Sequence, residues 1–215
     1  MLQVQNLYLH YPDQTEPLFE NLSFQLQEGN LLWLKGPNGC GKTSLLNCIS
    51  GIIPQRIKAE CNGTIILNDL DLNPIPINER FRYLAYQISD PDNQIFFPRV
   101  EKELSFALEN AGLTIPQMKE RISKATEEFG LQDFWETEPG KLSRGQKQLL
   151  VLAFCAAQDT PLYLLDEPTS ALSSESILKV QNWLKNILSK GKIVIMVEHN
   201  YELGSLATQI LDLGK

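Results

Sequence analysis

Two groups of residues in this chain have the types and spacing for chemistry on a phosphate ester. The first is Gly36-Pro37-Asn38-Gly39-Cys40-Gly41-Lys42-Thr43, with Ser44 next. Glycines at these intervals let successive backbone N–H groups turn inward around phosphate oxygens. A helix starting at Lys42 adds its positive N-terminal end. The spacing matches a phosphate-binding loop, whose lysine reaches the β- and γ-phosphates and whose hydroxyl residue ligates Mg2+. Those roles fall on Lys42 and Thr43. The second group is Tyr163-Leu164-Leu165-Asp166-Glu167, an apolar run delivering two carboxylates to a strand end, where open α/β sheets bind ligands. Asp166 is placed to hold Mg2+ through water, and Glu167 to polarise the attacking water as general base.

A third motif is Leu142-Ser143-Arg144-Gly145-Gln146. Read alone, it is a serine-capped helix start, with the hydroxyl and backbone N–H groups that can bind a phosphate. With the other two motifs it resembles the signature Leu-Ser-Gly-Gly-Gln of ABC ATPases, and the resemblance covers nearly the whole chain. It implies that Ser143, Gly145 and Gln146 touch the γ-phosphate of ATP held by the opposite subunit of a dimer. It also implies that His199, in Val197-Glu198-His199-Asn200, contacts the γ-phosphate. Tyr11 would stack on adenine, as an aromatic face suits a purine ring. Gln87 would touch Mg2+ or water and relay to a membrane subunit. Two positions depart from the pattern: Arg144 replaces a glycine, and Ser173 stands where many relatives carry Asp.

The stretch Asp90-Pro91-Asp92-Asn93-Gln94-Ile95-Phe96 is similar to energy-coupling factor ATPases, which import vitamins and metals such as cobalt and nickel. Relatives carry a glutamine directly before this run, whereas Gln87 lies two residues farther upstream. Either the loop has an insertion or Ser89 stands in the glutamine's place; the insertion is preferred, because Leu84-Ala85-Tyr86 reads as the strand expected before that glutamine.

Elements of fixed kind must hold these residues. Leu31–Lys35 is a compact apolar strand ahead of the glycines, and a helix runs from about Lys42 to Ser50, stopped by Gly51 and Pro54. Earlier strands cover Leu2 to Tyr11 and Leu22–Leu26, and Thr64–Leu67 is another, turning at Asn68-Asp69. Glu101–Asn110, Gln117–Phe129 and Ser143–Ala157 have helical patterns. Leu162–Leu165 and Ile193–Val197 are continuous apolar runs suited to a parallel sheet buried on both faces, and Glu175–Lys190 between them is an amphipathic helix. The order predicts an α/β nucleotide-binding core with a helical insertion. The resemblance makes it a P-loop NTPase with a RecA-like parallel core and an N-terminal antiparallel β subdomain. The expected single domain spans 1–215: β subdomain and core to about 88, helical part about 89–157, and core again about 158–215.

The chain of 215 residues carries net charge −7, against the basic excess usual in a nucleic-acid binder. Four cysteines without a CxxC pair and two histidines argue for free thiols in a reducing compartment. The N-terminus has no signal-peptide pattern, and no apolar run approaches the ~20 residues that span a bilayer. The sequence therefore reads as a cytoplasmic ATPase at the inner membrane face. Its partners would be a second ATPase subunit, the same or different, and integral membrane subunits that carry the solute, with no nucleic acid. The cofactors are ATP and Mg2+. The alternatives are a soluble ABC ATPase in assembly or nucleic-acid work, and a weakly catalytic half of a heterodimer.

Overall fold

The computed structural model of the chain describes residues 1–109 and 112–214. In chain order come β1 (Leu2–His10), β2 (Phe19–Leu26), β3 (Leu31–Lys35), α1 (Lys42–Ser50), α2 (Ile52–Gln55), β4 (Glu60–Leu67), β5 (Leu70–Asp71), α3 (Ile77–Arg80) and β6 (Leu84–Gln87). Then follow α4 (Val100–Glu109), α5 (Ile115–Phe129), α6 (Arg144–Gln158), β7 (Leu162–Asp166), α7 (Ser174–Ser189), β8 (Ile193–Val197), α8 (Tyr201–Gly204) and β9 (Gln209–Asp212).

The strands form two sheets. β2-β1-β4-β5 is antiparallel. β6-β7-β8-β3-β9 is parallel throughout. Alternation along each strand explains how the parallel sheet is covered. Leu31, Trp33, Tyr163, Leu165, Val194 and Met196 face one core with α4 to α7. Leu32, Leu34, Leu162, Leu164, Ile193, Ile195 and Val197 face a second core, shared with α1 and the antiparallel sheet. Successive side chains point to opposite faces, so a strand covered on both sides must be apolar at every position. Every residue of β7 and β8 is buried.

Local chemistry sets the boundaries. In β1 the buried positions are Leu2, Val4, Leu7 and Leu9. The alternation jumps a residue at Asn6, whose φ of 50° accompanies a register shift, and this bulge keeps both halves of the strand facing inward. α5 opens on a capping box between Thr114 and Gln117 and ends at Gly130 in the left-handed region.

The expected strands and helices are present, several with wider limits. β4 begins four residues earlier than Thr64, because Cys61 and Asn62 pair with β1. β2 begins at Phe19, which pairs with Leu9. Tyr11 lies just past β1, and the Asn110 end expected for α4 falls outside the described residues. The short elements α2, β5, α3, α8 and β9 were not expected. They carry too few buried apolar positions to give a period, and β5 and β9 have none.

Trp183 of α7 seals the helical side, with its ring centroid 5.5 Å from both Phe129 and Tyr163 in edge-on contacts. Trp183→Ala should lower unfolding stability by ~3–5 kcal/mol, read from the urea midpoint at unchanged slope. A loss under ~1 kcal/mol would mean that the three rings do not form a tightly packed unit.

Candidate active site

Strand register brings the motifs together. Leu34 of β3 and Asp166 of β7 both pair with Val197 of β8, so the three strands end level, and the residues after them leave the sheet at its carboxyl edge. From β3 the chain enters the glycine loop. Gly36, Gly39 and Gly41 all have positive φ, with Gly41 at 102° directly before α1. A side chain at Gly41 would also meet Phe19 at 2.7 Å. Pro37, Asn38 and Gly39 are exposed. The Lys42 ammonium is nearly buried and donates to the Gly36 and Pro37 carbonyl oxygens at 2.9 and 3.0 Å. Those bonds must be exchanged for phosphate oxygens if Lys42 is to hold a ligand.

Thr43 Oγ1 donates to Asp166 Oδ2 at 2.8 Å and joins the first motif to the second. Burial raises the Asp166 pKa above the usual carboxylate value, and the Glu167 charge adds to this, while the Thr43 hydrogen bond and Lys42 oppose it. Glu167 has φ 53°, and its backbone N–H donates to the Val197 carbonyl at 2.9 Å. That left-handed turn, uncommon for a residue with a side chain, takes Glu167 off the strand line. Its Oε1 lies 3.6 Å from His199 Nε2. Gln87, at the end of β6, is fully buried and donates through Nε2 to the Asp166 carbonyl at 3.0 Å and to the Ile88 carbonyl. Its Oε1 is buried without a partner among the described residues. Tyr11 donates through its phenol to Ser44 Oγ at 3.0 Å, which holds the ring beside the start of α1.

The donor set suits a hard divalent cation. The Thr43 hydroxyl, the Asp166 carboxylate and the orphaned Gln87 Oε1 are all oxygen donors, as Mg2+ prefers, and an unpaired buried oxygen is costly to keep.

The signature residues stand elsewhere. Ser143 caps α6, with Gln146 N–H donating to its Oγ and Ser143 N–H donating to Gln146 Oε1. Ser143 and Arg144 are exposed. A side chain on Gly145 would meet the Ala171 carbonyl oxygen at 2.8 Å, so glycine is required where α6 abuts the turn after β7. No hydrogen bond among the described residues joins these positions to the glycine loop. Ser173 caps α7, its Oγ accepting from Ser176 N–H. Lys147 of α6 forms an ion pair with Asp92 of the stretch after Gln87.

Sequence reasoning missed two positioning residues. Glu198 was noted only as the neighbour of His199, yet its buried carboxylate accepts four hydrogen bonds. Oε2 takes Thr169 Oγ1 at 2.6 Å and Thr169 N–H at 3.2 Å. Oε1 takes His199 N–H at 2.7 Å and Asn200 N–H at 3.1 Å. One oxygen thus holds the turn that carries Glu167, and the other the turn that carries His199. Gln94 closes the stretch after β6 by accepting from Ile88 N–H and donating to the Tyr86 carbonyl.

A family model for the ABC transporter matches residues 19–170, and the chain belongs to that family. It is 34% identical over 213 residues to the energy-coupling factor transporter ATP-binding protein EcfA1 of Streptococcus sanguinis, covering 98% of this chain and 75% of that protein. It is 32% identical over 204 residues to a putative HMP/thiamine import ATP-binding protein of Bacillus subtilis, with 94% of this chain covered. The chain spans only 37% of that relative's length. A dimeric ATP-binding cassette, described as a post-hydrolysis state bound to ADP and Pi, has the same fold. It superposes with a TM-score of 0.85 at 24% identity, over all of this chain and 94% of its own.

Two predictions follow from the geometry. Because burial raises Asp166, the folded state keeps that proton to higher pH than the unfolded chain does. The contribution of Asp166 to stability should therefore fall as pH climbs from the unfolded value of 3.8 through the folded one. Asp166→Asn, which keeps an acceptor for Thr43, should raise Tm at pH 7 by roughly 2–4 °C while abolishing turnover. A lower Tm would mean that the ionised carboxylate stabilises the fold. Glu198→Gln keeps one acceptor oxygen and can hold one turn but not both. Its kcat should fall about tenfold, the effect of losing ~1.4 kcal/mol of positioning, with ATP affinity changed less than twofold. Parental kcat would show that the clamp does not set the distance between Glu167 and His199.

Proposed function

We propose that this chain binds ATP with Mg2+ and hydrolyses it as one half of a head-to-tail dimer that drives a membrane transporter. The observation that carries the reading is the junction of Thr43 with Asp166, with Glu167 facing His199 beside it. Lys42 leaves the Gly36 and Pro37 carbonyls to bind the β- and γ-phosphates, while the backbone N–H groups of residues 36–44 wrap the phosphate oxygens. Tyr11 stacks on adenine. Thr43, Asp166 and Gln87 hold Mg2+, which neutralises developing phosphate charge when bound. Glu167 orients and deprotonates the attacking water, and His199 donates to the γ-phosphate. Ser143, Gly145 and Gln146 complete the site of the opposite subunit, consistent with an exposed helix start that makes no bond to its own glycine loop.

The chain works as a single cassette over 1–215, with residues 89–157 as the helical part that turns on the core at Gln87. Its membrane partners carry the solute, a reading supported by the relative named as an energy-coupling factor transporter ATP-binding protein. The cassette sits on the cytoplasmic face, where ATP is available. The relatives named for energy coupling and for thiamine import support uptake of a micronutrient, a vitamin or a metal ion.

Lys42→Ala should lose Mg-ATP affinity and nearly all hydrolysis. Glu167→Gln should bind ATP, lose turnover by ~10²–10⁴-fold, and sediment as a dimer with Mg-ATP but as a monomer without it. Near-parental turnover in either variant would overturn the assignment. A Glu167→Gln chain that dimerises only when Arg144→Gly is added would mean that Arg144 blocks the homodimer and that the second subunit is a different chain.

A further inference from the structure

Away from the phosphate site, two thiols meet under α1. Cys48 lies in the last turn of α1 and Cys61 in β4, with their sulfurs 3.7 Å apart. Both line a cavity of about 170 Å³ together with Ile53, Pro54, Asn73 and Arg80. Cys48 is buried, whereas Cys61 is half-buried and gives the pair a route to solvent. Arg80 is the unusual wall of this cavity. Its guanidinium is almost fully buried, and its three hydrogen bonds all go to backbone carbonyls, those of Ile75, Ile49 and Asn73. None goes to a carboxylate, although the Asp71 charge lies near enough to favour the guanidinium, with Cys61 next. Burial disfavours the cation, and a Cys61 thiolate would supply a second anion beside it.

We propose that Cys48 and Cys61 form a reactive dithiol site that hydroperoxides convert to a disulfide. Cys61 is the nucleophile. Its thiolate attacks the hydroxyl oxygen of the peroxide, the O–O bond breaks, and hydroxide leaves from hydrogen peroxide or alkoxide from an organic hydroperoxide, so Cys61 becomes a sulfenic acid. Cys48 then attacks that sulfur, the S–O bond breaks, and water leaves with the Cys48 proton. Two electrons pass from the two sulfurs to the peroxide. The pair returns to thiols through exchange with a low-molecular-weight dithiol. The environments divide these roles. The Cys48 thiol proton is retained, chiefly through its contact with the neighbouring sulfur and then through burial. Cys61 is shifted down, first by that same contact and then by Arg80, against an opposing effect of burial. A lowered thiol beside a cation is the form that reacts.

The site differs from the other two cysteines. Cys155 is fully buried in the helical core, and burial pushes its thiol up to about 12. Cys40 sits in the glycine loop with no second thiol beside it. Among the described residues no group of three or more His, Cys, Asp or Glu side chains could hold a metal ion, so the chemistry of the pair is that of a dithiol.

The test uses the full chain treated with hydrogen peroxide and then mapped by peptide mass spectrometry without reduction. The expected result is joint loss of the Cys48 and Cys61 thiols as one linked peptide, restored by dithiothreitol. In Cys48→Ser, dimedone should label Cys61. In Cys61→Ser, it should leave Cys48 unlabelled. Phenylarsine oxide needs no variant. It should bridge the pair in the parent chain, losing one water per two thiols and blocking the linked peptide. Peroxide that oxidises Cys40 while Cys48 and Cys61 stay reduced, or no arsenical bridge, would overturn the proposal.

Discussion

The hydrogen bond from Thr43 to Asp166 is the joint on which the site rests. It connects the first turn of α1 to the end of β7, two segments that share no sequence neighbourhood. The bond has the right reach only because β3 and β7 end level on β8. A one-residue slip would exchange the side chains that β7 presents to the two cores and move Asp166 off the edge. Register is protected by burial on both faces, so the apolar strands do more than fill a core. They fix where a hydroxyl and a carboxylate meet.

That position works against stability. Asp166 is buried at the end of an apolar strand, and its charged form is disfavoured there until a cation or a phosphate-bound metal arrives. Gln87 Oε1, at the end of β6, is buried without a partner among the described residues. Both features are poor choices for a fold and good ones for a ligand site, where bound ligand supplies the missing interactions. Glu198 is the contrasting case. It is also a buried carboxylate, but four donors satisfy it, so it can hold two turns rigid with no ligand present. The chain thus carries a satisfied buried carboxylate as well as one that burial disfavours, and the satisfied one bonds both to the turn after Glu167 and to the turn at His199.

Much of this was legible in the sequence because it depends on period and local spacing. The apolar runs at Leu31, Leu162 and Ile193, the glycines before α1 and the serine before α6 each give a local signal. What stayed hidden depends on distance in space. Glu198 meets Thr169 across 29 positions, and three of its four donors are backbone N–H groups, which no residue type advertises. Cys48 meets Cys61 across 13 positions through a helix and a strand, so the absence of a CxxC spacing hid a thiol pair. β9 was missed because none of its residues is fully buried; it pairs on β3 and packs only Leu211 against the second core.

The departures at Arg144 and Ser173 find physical places here. Arg144 is exposed at the first turn of α6, where a side chain can point away without disturbing Gly145. Gly145 has no such freedom, since the Ala171 carbonyl leaves no room for a Cβ. Ala171 lies between Thr169, which Glu198 holds, and Ser173, which caps α7. The start of α6 is therefore packed against the same turn that the Glu198 clamp positions. The Glu198 bonds to Thr169 and the close approach of Gly145 to Ala171 thus fall on one short turn after β7. Ser173 ends that turn and supplies no carboxylate there; its hydroxyl caps α7 instead.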